Sequence, residues 1–272
     1  MFGERNLMEY RVSTLSIILI AVAAITAAGG VIALFVYLKK KRNASVKAFF
    51  GGWIAFLFAV LLLESLVHSL VLGSEAGQTI RGNPLLFAVY GGVMAGLFEE
   101  TARYICFSQF LKAEQENDWN ALMYGTGHGG CEVFNLFVVT MINNLIYAVT
   151  LNTSGPDAIL QSASGDVLVQ LEEMIRQLCT APPYMFLLSL VERVAAMALH
   201  LSLSVLVFYA VKKKSCRKYY LIAIMIHALV DFIAAYGGGI MPTALLEAVI
   251  VLCSAAAGWY AWRVWKCNHI ES

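Results

Sequence analysis

The stretch GLFEETARY, residues 96–104, sets two adjacent carboxylates and a guanidinium in apolar surroundings. Glu99 and Glu100 lie four and three residues ahead of Arg103, so on a helix the arginine can neutralise and hold one or both from the same face. Further stretches bring acids and bases together again. HGGCE puts His128 and Glu132 one helical turn apart, HALVD does the same for His227 and Asp231, and VERVAAMALH carries Glu192, Arg193 and His200. Arg193 and His200, seven apart, share a face, while Glu192 is rotated about 80° from His200. Such groups can do hydrolysis. Three imidazoles, His128, His200 and His227, match the protein ligands of a catalytic zinc whose fourth position is left to water; they could equally hold an oxyanion. Glu99 or Glu100 is then the general base on that water. Glu132 and Asp231 are placed to orient the imidazoles.

The elements that must position these groups are membrane helices. Of 272 residues, 60% are hydrophobic and 14% charged, and the mean hydropathy is +0.71. That composition excludes a soluble domain and indicates an all-α, polytopic transmembrane helical bundle in the cell membrane. Seven apolar runs are long enough to span, at about 14–37, 48–73, 84–111, 121–150, 183–211, 219–236 and 240–264. The first exceeds a secretory signal core and ends in Lys39, Lys40, Lys41 and Arg42, so it reads as a retained span, with cleavage near Ala23 the lesser reading.

Charge distribution predicts the N-terminus outside and the C-terminus inside. The inner segments then hold Lys39 to Lys47, Lys112, Lys212 to Lys218, Arg263 and Lys266, whereas the outer ones hold only Arg5, Arg11, Arg81 and Arg176. In this topology the acids and imidazoles of the four central spans fall in one layer, roughly 10 to 18 Å below the cytoplasmic surface. Charged groups inside spans are functional candidates, because each costs about 2.5 to 3.5 kcal/mol at mid-membrane.

The chain reads as a single integral membrane domain, 1–272, with a catalytic core at about 84–236. The connection 151–182 is predicted to carry an amphipathic helix with Val167, Leu168, Leu171, Ile175 and Leu178 on one face, Asp166 as N-cap and Pro182-Pro183 as the stop. This helix lies on the outer membrane face or packs over the bundle as a lid. The six cysteines show no paired spacing, so no disulfide framework is expected. Glu64 and His68 are also one turn apart but lie toward the outer half, where a structural hydrogen bond is the leading reading. Cys131 suggests a thiol nucleophile beside His128, which would leave the carboxylates unexplained. Gly92 and Gly96 permit close helix packing, and the tryptophans fit interfacial belts.

At these residues the chain resembles the intramembrane proteases of the CAAX-processing and PrsW clan. It is most similar to YhfC-type membrane metalloproteases, which pair a Glu-Glu-x-x-Arg motif with a GHGG motif and a nearby glutamate. Here those are Glu99, Glu100 and Arg103, then GHGGCE at 127–132. The resemblance implies peptide-bond hydrolysis at the cytoplasmic side of the bilayer on a membrane protein or peptide substrate, with Zn2+ the expected cofactor and no nucleic acid involved. Relative to prenyl-processing members the basic residue comes one position earlier and the last motif ends in Asp231, so prenylated substrates are not implied. Two other functions fit the same residues. A proton-coupled transporter also uses buried acids and histidines, but no inverted repeat is evident. A non-catalytic membrane scaffold of the same fold is the third reading.

Overall fold

The computed structural model describes residues 10–269, and these contain helices and no strand. Arg5, counted above toward the outer side, lies outside the described residues. Seven helices are long and apolar enough to cross a membrane: α1, Thr14–Arg42; α2, Val46–Gly73; α4, Pro84–Phe110; α5, Trp119–Ser154; α8, Tyr184–Lys212; α9, Lys214–Gly237; and α10, Thr243–Asn268. Three shorter α-helices, α3, Glu75–Arg81, α6, Asp157–Leu160, and α7, Gly165–Thr180, and the 3-10 turn Ala113–Glu116 lie in the connections. The seven expected spans are therefore present, each within a few residues of its predicted bounds.

Local chemistry sets several of these boundaries. Asn83 caps α4, its side chain accepting from the backbone N–H of Leu85 and Leu86 at 3.0 and 3.2 Å, with Pro84 in the first turn. The four cations Lys39 to Arg42 close α1, where positive charge complements the helix C-terminus. One expected cap is corrected. Ser164, not Asp166, stands at the N-cap of α7, because Gly165 at φ 58° starts the helix one residue earlier and leaves Asp166 in the first turn.

The chain divides into two compact units, one comprising the chain up to Gly29 with Phe134–Leu190, the other Gly30–Val133 with Val191 onward. In the first, Ile20, Ala23, Met141 and Leu151 form an apolar core that also buries Ile175 and Leu178 of α7. Asn152 pairs with the backbone of Val12 in both directions, at 3.0 and 2.8 Å.

The second unit holds every residue singled out above for chemistry, and glycines bring its helices together. A Cβ on Gly127 of α5 would lie 1.9 Å from the carbonyl oxygen of Phe49 on α2, and one on Gly52 of α2 would lie 2.2 Å from that of Tyr124. Gly92 and Gly96 do the same for α4 against α9, where added Cβ atoms would meet the carbonyl oxygens of Ala228 and Ile224 at 2.4 and 2.7 Å. Only glycine permits such approaches, and the closeness is what lets short carboxylate side chains span between helices.

A polar clasp lies at the start of α5, beyond the span itself. Asp118 accepts from Lys212 Nζ at 2.5 Å, from the Tyr209 hydroxyl at 2.8 Å and from His269 Nδ1 at 2.8 Å. Burial pushes its carboxyl up, but these three hydrogen bonds outweigh burial and hold it below the usual carboxylate range.

Candidate active site

Helix α4 supplies Glu99, Glu100 and Arg103, all buried. Arg103 Nη1 donates to both oxygens of Glu100 at 2.6 Å, and its Nη2 donates to Nδ1 of His200 at 3.2 Å. A guanidinium has no acceptor, so Nδ1 of His200 must accept and the ring proton sits on Nε2. That proton points at Glu132 Oε2, 2.5 Å away. Glu132 Oε1 in turn accepts from Arg193 Nη1 at 2.6 Å, and Arg193 also binds Glu192. His227 Nδ1 completes the Glu100 shell at 2.8 Å from Oε1. Glu100 is thus fully engaged by Arg103 and His227.

Glu99 is placed differently. Its Oε2 lies 2.8 Å from His128 Nε2, 3.8 Å from His200 Nδ1 and 3.8 Å from His227 Nε2. One carboxylate oxygen therefore faces ring nitrogens from three other helices. The rings are neighbours, with centroids 5.1 Å apart for His128 and His200 and 5.4 Å apart for His200 and His227. His128 is fixed by stacking on Tyr124 and by the edge of Phe56. His200 lies against α5 at Gly129, where an added Cβ would come within 3.2 Å of the His200 Cβ.

All eight residues expected to form the site fall in this cluster, but several pairings differ from the sequence reading. Glu132 serves His200 rather than its own neighbour His128, because Arg193 draws its carboxylate across to α8. Arg103 holds Glu100 alone, not the glutamate pair. Asp231 does approach His227, at 3.6 Å from Nε2, and is half-buried. Two carboxylates were not assigned to the cluster. Glu64 of α2, placed toward the outer half by counting residues, is buried and lies 3.2 Å from His68, the pairing its spacing predicts. Glu247 of α10 is buried with Oε2 lacking a hydrogen-bond partner, within reach of the charges of Glu192 and Arg193. A lone carboxylate inside a span was the available signal for it.

The arrangement fits a divalent cation. Among the described residues, Glu99, His128 and His200 each bring one donor atom to within 4.8 Å of the others. Two nitrogens and a carboxylate form a set used by catalytic zinc, and donors about 2.0–2.1 Å from a tetrahedral ion lie about 3.3 Å apart. The distances of 2.8 and 3.8 Å from Glu99 Oε2 bracket that spacing. His200 carries the carboxylate partner typical of a ligand imidazole in Glu132, whereas the buried Nδ1 of His128 has none. An ion on His200 Nδ1 would take the lone pair that Arg103 now uses. His227 is turned toward Glu100 by Nδ1, so the donor group contains Glu99 where a third imidazole was expected. Charge balance points the same way: more than five residues from their ends the spans hold six carboxylates, Glu64, Glu99, Glu100, Glu132, Glu192 and Asp231, against Arg103 and Arg193.

These features define a multi-pass helical membrane protein with a buried glutamate–histidine centre. The chain belongs to the YhfC intramembrane metalloprotease family, whose model matches residues 21–251. It is 36% identical over 232 residues to an uncharacterized membrane protein, YhfC, of Bacillus subtilis (strain 168), covering 84% of this chain and 88% of that one. No solved structure matches the chain.

Proposed function

We propose that the protein is an intramembrane endopeptidase that hydrolyses a peptide bond of a membrane-protein or peptide substrate near the cytoplasmic side of the cell membrane. The observation that carries this reading is Glu99 Oε2 among the ring nitrogens of His128, His200 and His227. Family membership supports it, and the clustering of basic residues in the segments joining α1 to α2 and α8 to α9 supports the cytoplasmic assignment.

Glu99, His128 and His200 would hold a zinc ion, which supplies electrophilic polarisation of water and of the scissile carbonyl. Glu99 takes the proton of the attacking water: its contacts to the imidazoles use Oε2, which leaves Oε1 for that role. Glu100 is a positioning residue. With Arg103 it fixes His227, while Glu132 and Arg193 fix the Nε2 edge of His200 and leave its Nδ1 to the ion. Asp231, with 38% of its side chain exposed, is the least enclosed of the acids and marks the side from which a backbone amide enters.

The test is cleavage of a fluorogenic transmembrane peptide by the purified protein in liposomes. Glu99→Gln is expected to lower the rate by about 10²- to 10⁴-fold. Cleavage at the wild-type rate by that variant overturns the reading.

A further inference from the structure

Glu64 belongs to none of the motifs above. Helix α2 takes π geometry over Leu57–Glu64, and such turns recur at functional sites. Here the turn leaves Leu61, Leu62 and Leu63 exposed while Glu64 is buried, at 4% exposure. Its Oε1 lies 3.2 Å from His68 Nε2, and His68 Nδ1 lies 2.9 Å from the Tyr90 hydroxyl. His68 and Tyr90 are only partly buried, so this chain runs from an enclosed carboxyl toward the surface. The other oxygen, Oε2, is buried and has no hydrogen-bond partner. His68 of α2 itself contacts Glu64, and Tyr90, on α4 with Glu99, contacts His68.

A buried carboxylate oxygen without a donor costs about 1–3 kcal/mol or more, so it is stable only carrying a hydrogen or receiving one. Amide hydrolysis has a matching need. An amine leaves only if its nitrogen is protonated, and a second acid would supply that proton while Glu99 keeps the one it takes from water. Resting on the peptidase reading, we propose that Glu64 is the general acid of the same reaction and that His68 and Tyr90 return its proton.

The water oxygen bonds to the carbonyl carbon as Glu99 takes one water proton. The C–N bond then breaks, its electron pair stays on nitrogen, and the nitrogen takes the hydrogen of Glu64. The Glu64 carboxylate recovers a proton from His68 Nε2, His68 from the Tyr90 hydroxyl at Nδ1, and Tyr90 from water. Glu99 releases its proton to water with the products. One water is consumed, and one acid and one amine form.

The test compares two transmembrane peptides in liposomes, alike except that the scissile link is an amide in one and an ester in the other. An ester leaving group needs little help from an acid. Glu64→Gln is therefore expected to lower kcat on the amide by about 100-fold, with KM unchanged, and on the ester by less than about tenfold. His68→Gln and Tyr90→Phe should show the same amide-selective loss in smaller measure, which covers a Glu64 variant that fails to fold. Glu99→Gln should lose both substrates alike. Infrared spectroscopy should show a protonated carboxyl band that Glu64→Gln removes. Equal losses on amide and ester in the Glu64, His68 and Tyr90 variants, or wild-type amide cleavage by them, overturn the Glu64 role while leaving the peptidase reading intact. A wild-type protein that cleaves neither peptide, or a Glu99→Gln variant that cleaves both normally, overturns the two together.

Discussion

Glu99 Oε2 lies 2.8 Å from His128 Nε2, a contact between side chains 29 residues apart on α4 and α5. Neither helix alone makes the site. The carboxylate reaches the imidazole because α5 lies backbone to backbone on α2 at Gly127, which seats His128 beside α4.

That dependence makes the glycines testable. At Gly127 an added methyl would fall 1.9 Å from the Phe49 carbonyl oxygen, whereas at Gly91 nothing lies within 4 Å. Gly127→Ala is expected to destabilise the protein by several kcal/mol, about 3 or more, and to abolish any metal affinity. Gly91→Ala should be neutral or stabilising by about 0.5–1 kcal/mol. Thermal unfolding in detergent measures both.

Arg103 is completely enclosed and is the cation on Glu100. Removing one partner of such a pair leaves an uncompensated charge, so Arg103→Met should cost about 3–5 kcal/mol. The double variant Glu100→Gln with Arg103→Met should recover much of the loss, since the coupling resides in the pair. Unfolding midpoints of the two single variants and the double variant check this, and additive losses would contradict it.

The Asp118 clasp predicts an acid sensitivity separate from the site. Its folded carboxyl is held below the usual range by Lys212, His269 and Tyr209 against the opposing effect of burial. The resulting stability is present above the unfolded-state value of about 3.9 and is lost as pH falls through the folded one. Asp118→Asn should therefore destabilise by on the order of 2 kcal/mol near neutral pH. The gap between wild type and variant should close in acid. A gap unchanged down to the most acidic pH at which the wild type stays folded would contradict the clasp.

Much of this was legible in the sequence because a membrane restricts the possibilities. Apolar runs of spanning length fixed the seven helices, and charges inside them marked Glu99, Glu100, Arg103, His128, Glu132, His200, His227 and Asp231 as one group. The pairing within the group was not legible. Helical spacing matched His128 with Glu132, but Arg193, on another helix, redirects that carboxylate to His200. Glu64 was read as the helical-turn partner of His68, and that contact is present at 3.2 Å; what spacing could not show is that its second oxygen is buried without a hydrogen-bond partner. Glu247 shows a third limit, since a single carboxylate has no spacing partner to signal it.

The most direct test of the account is cobalt(II) titration of the purified protein, followed by visible absorption. The account predicts one ion per chain with a tetrahedral spectrum. That binding should be lost in Glu99→Gln, His128→Ala and His200→Ala and retained in Asp118→Asn. Binding that survives loss of Glu99, His128 and His200, or a wild-type protein that binds no ion, would contradict it.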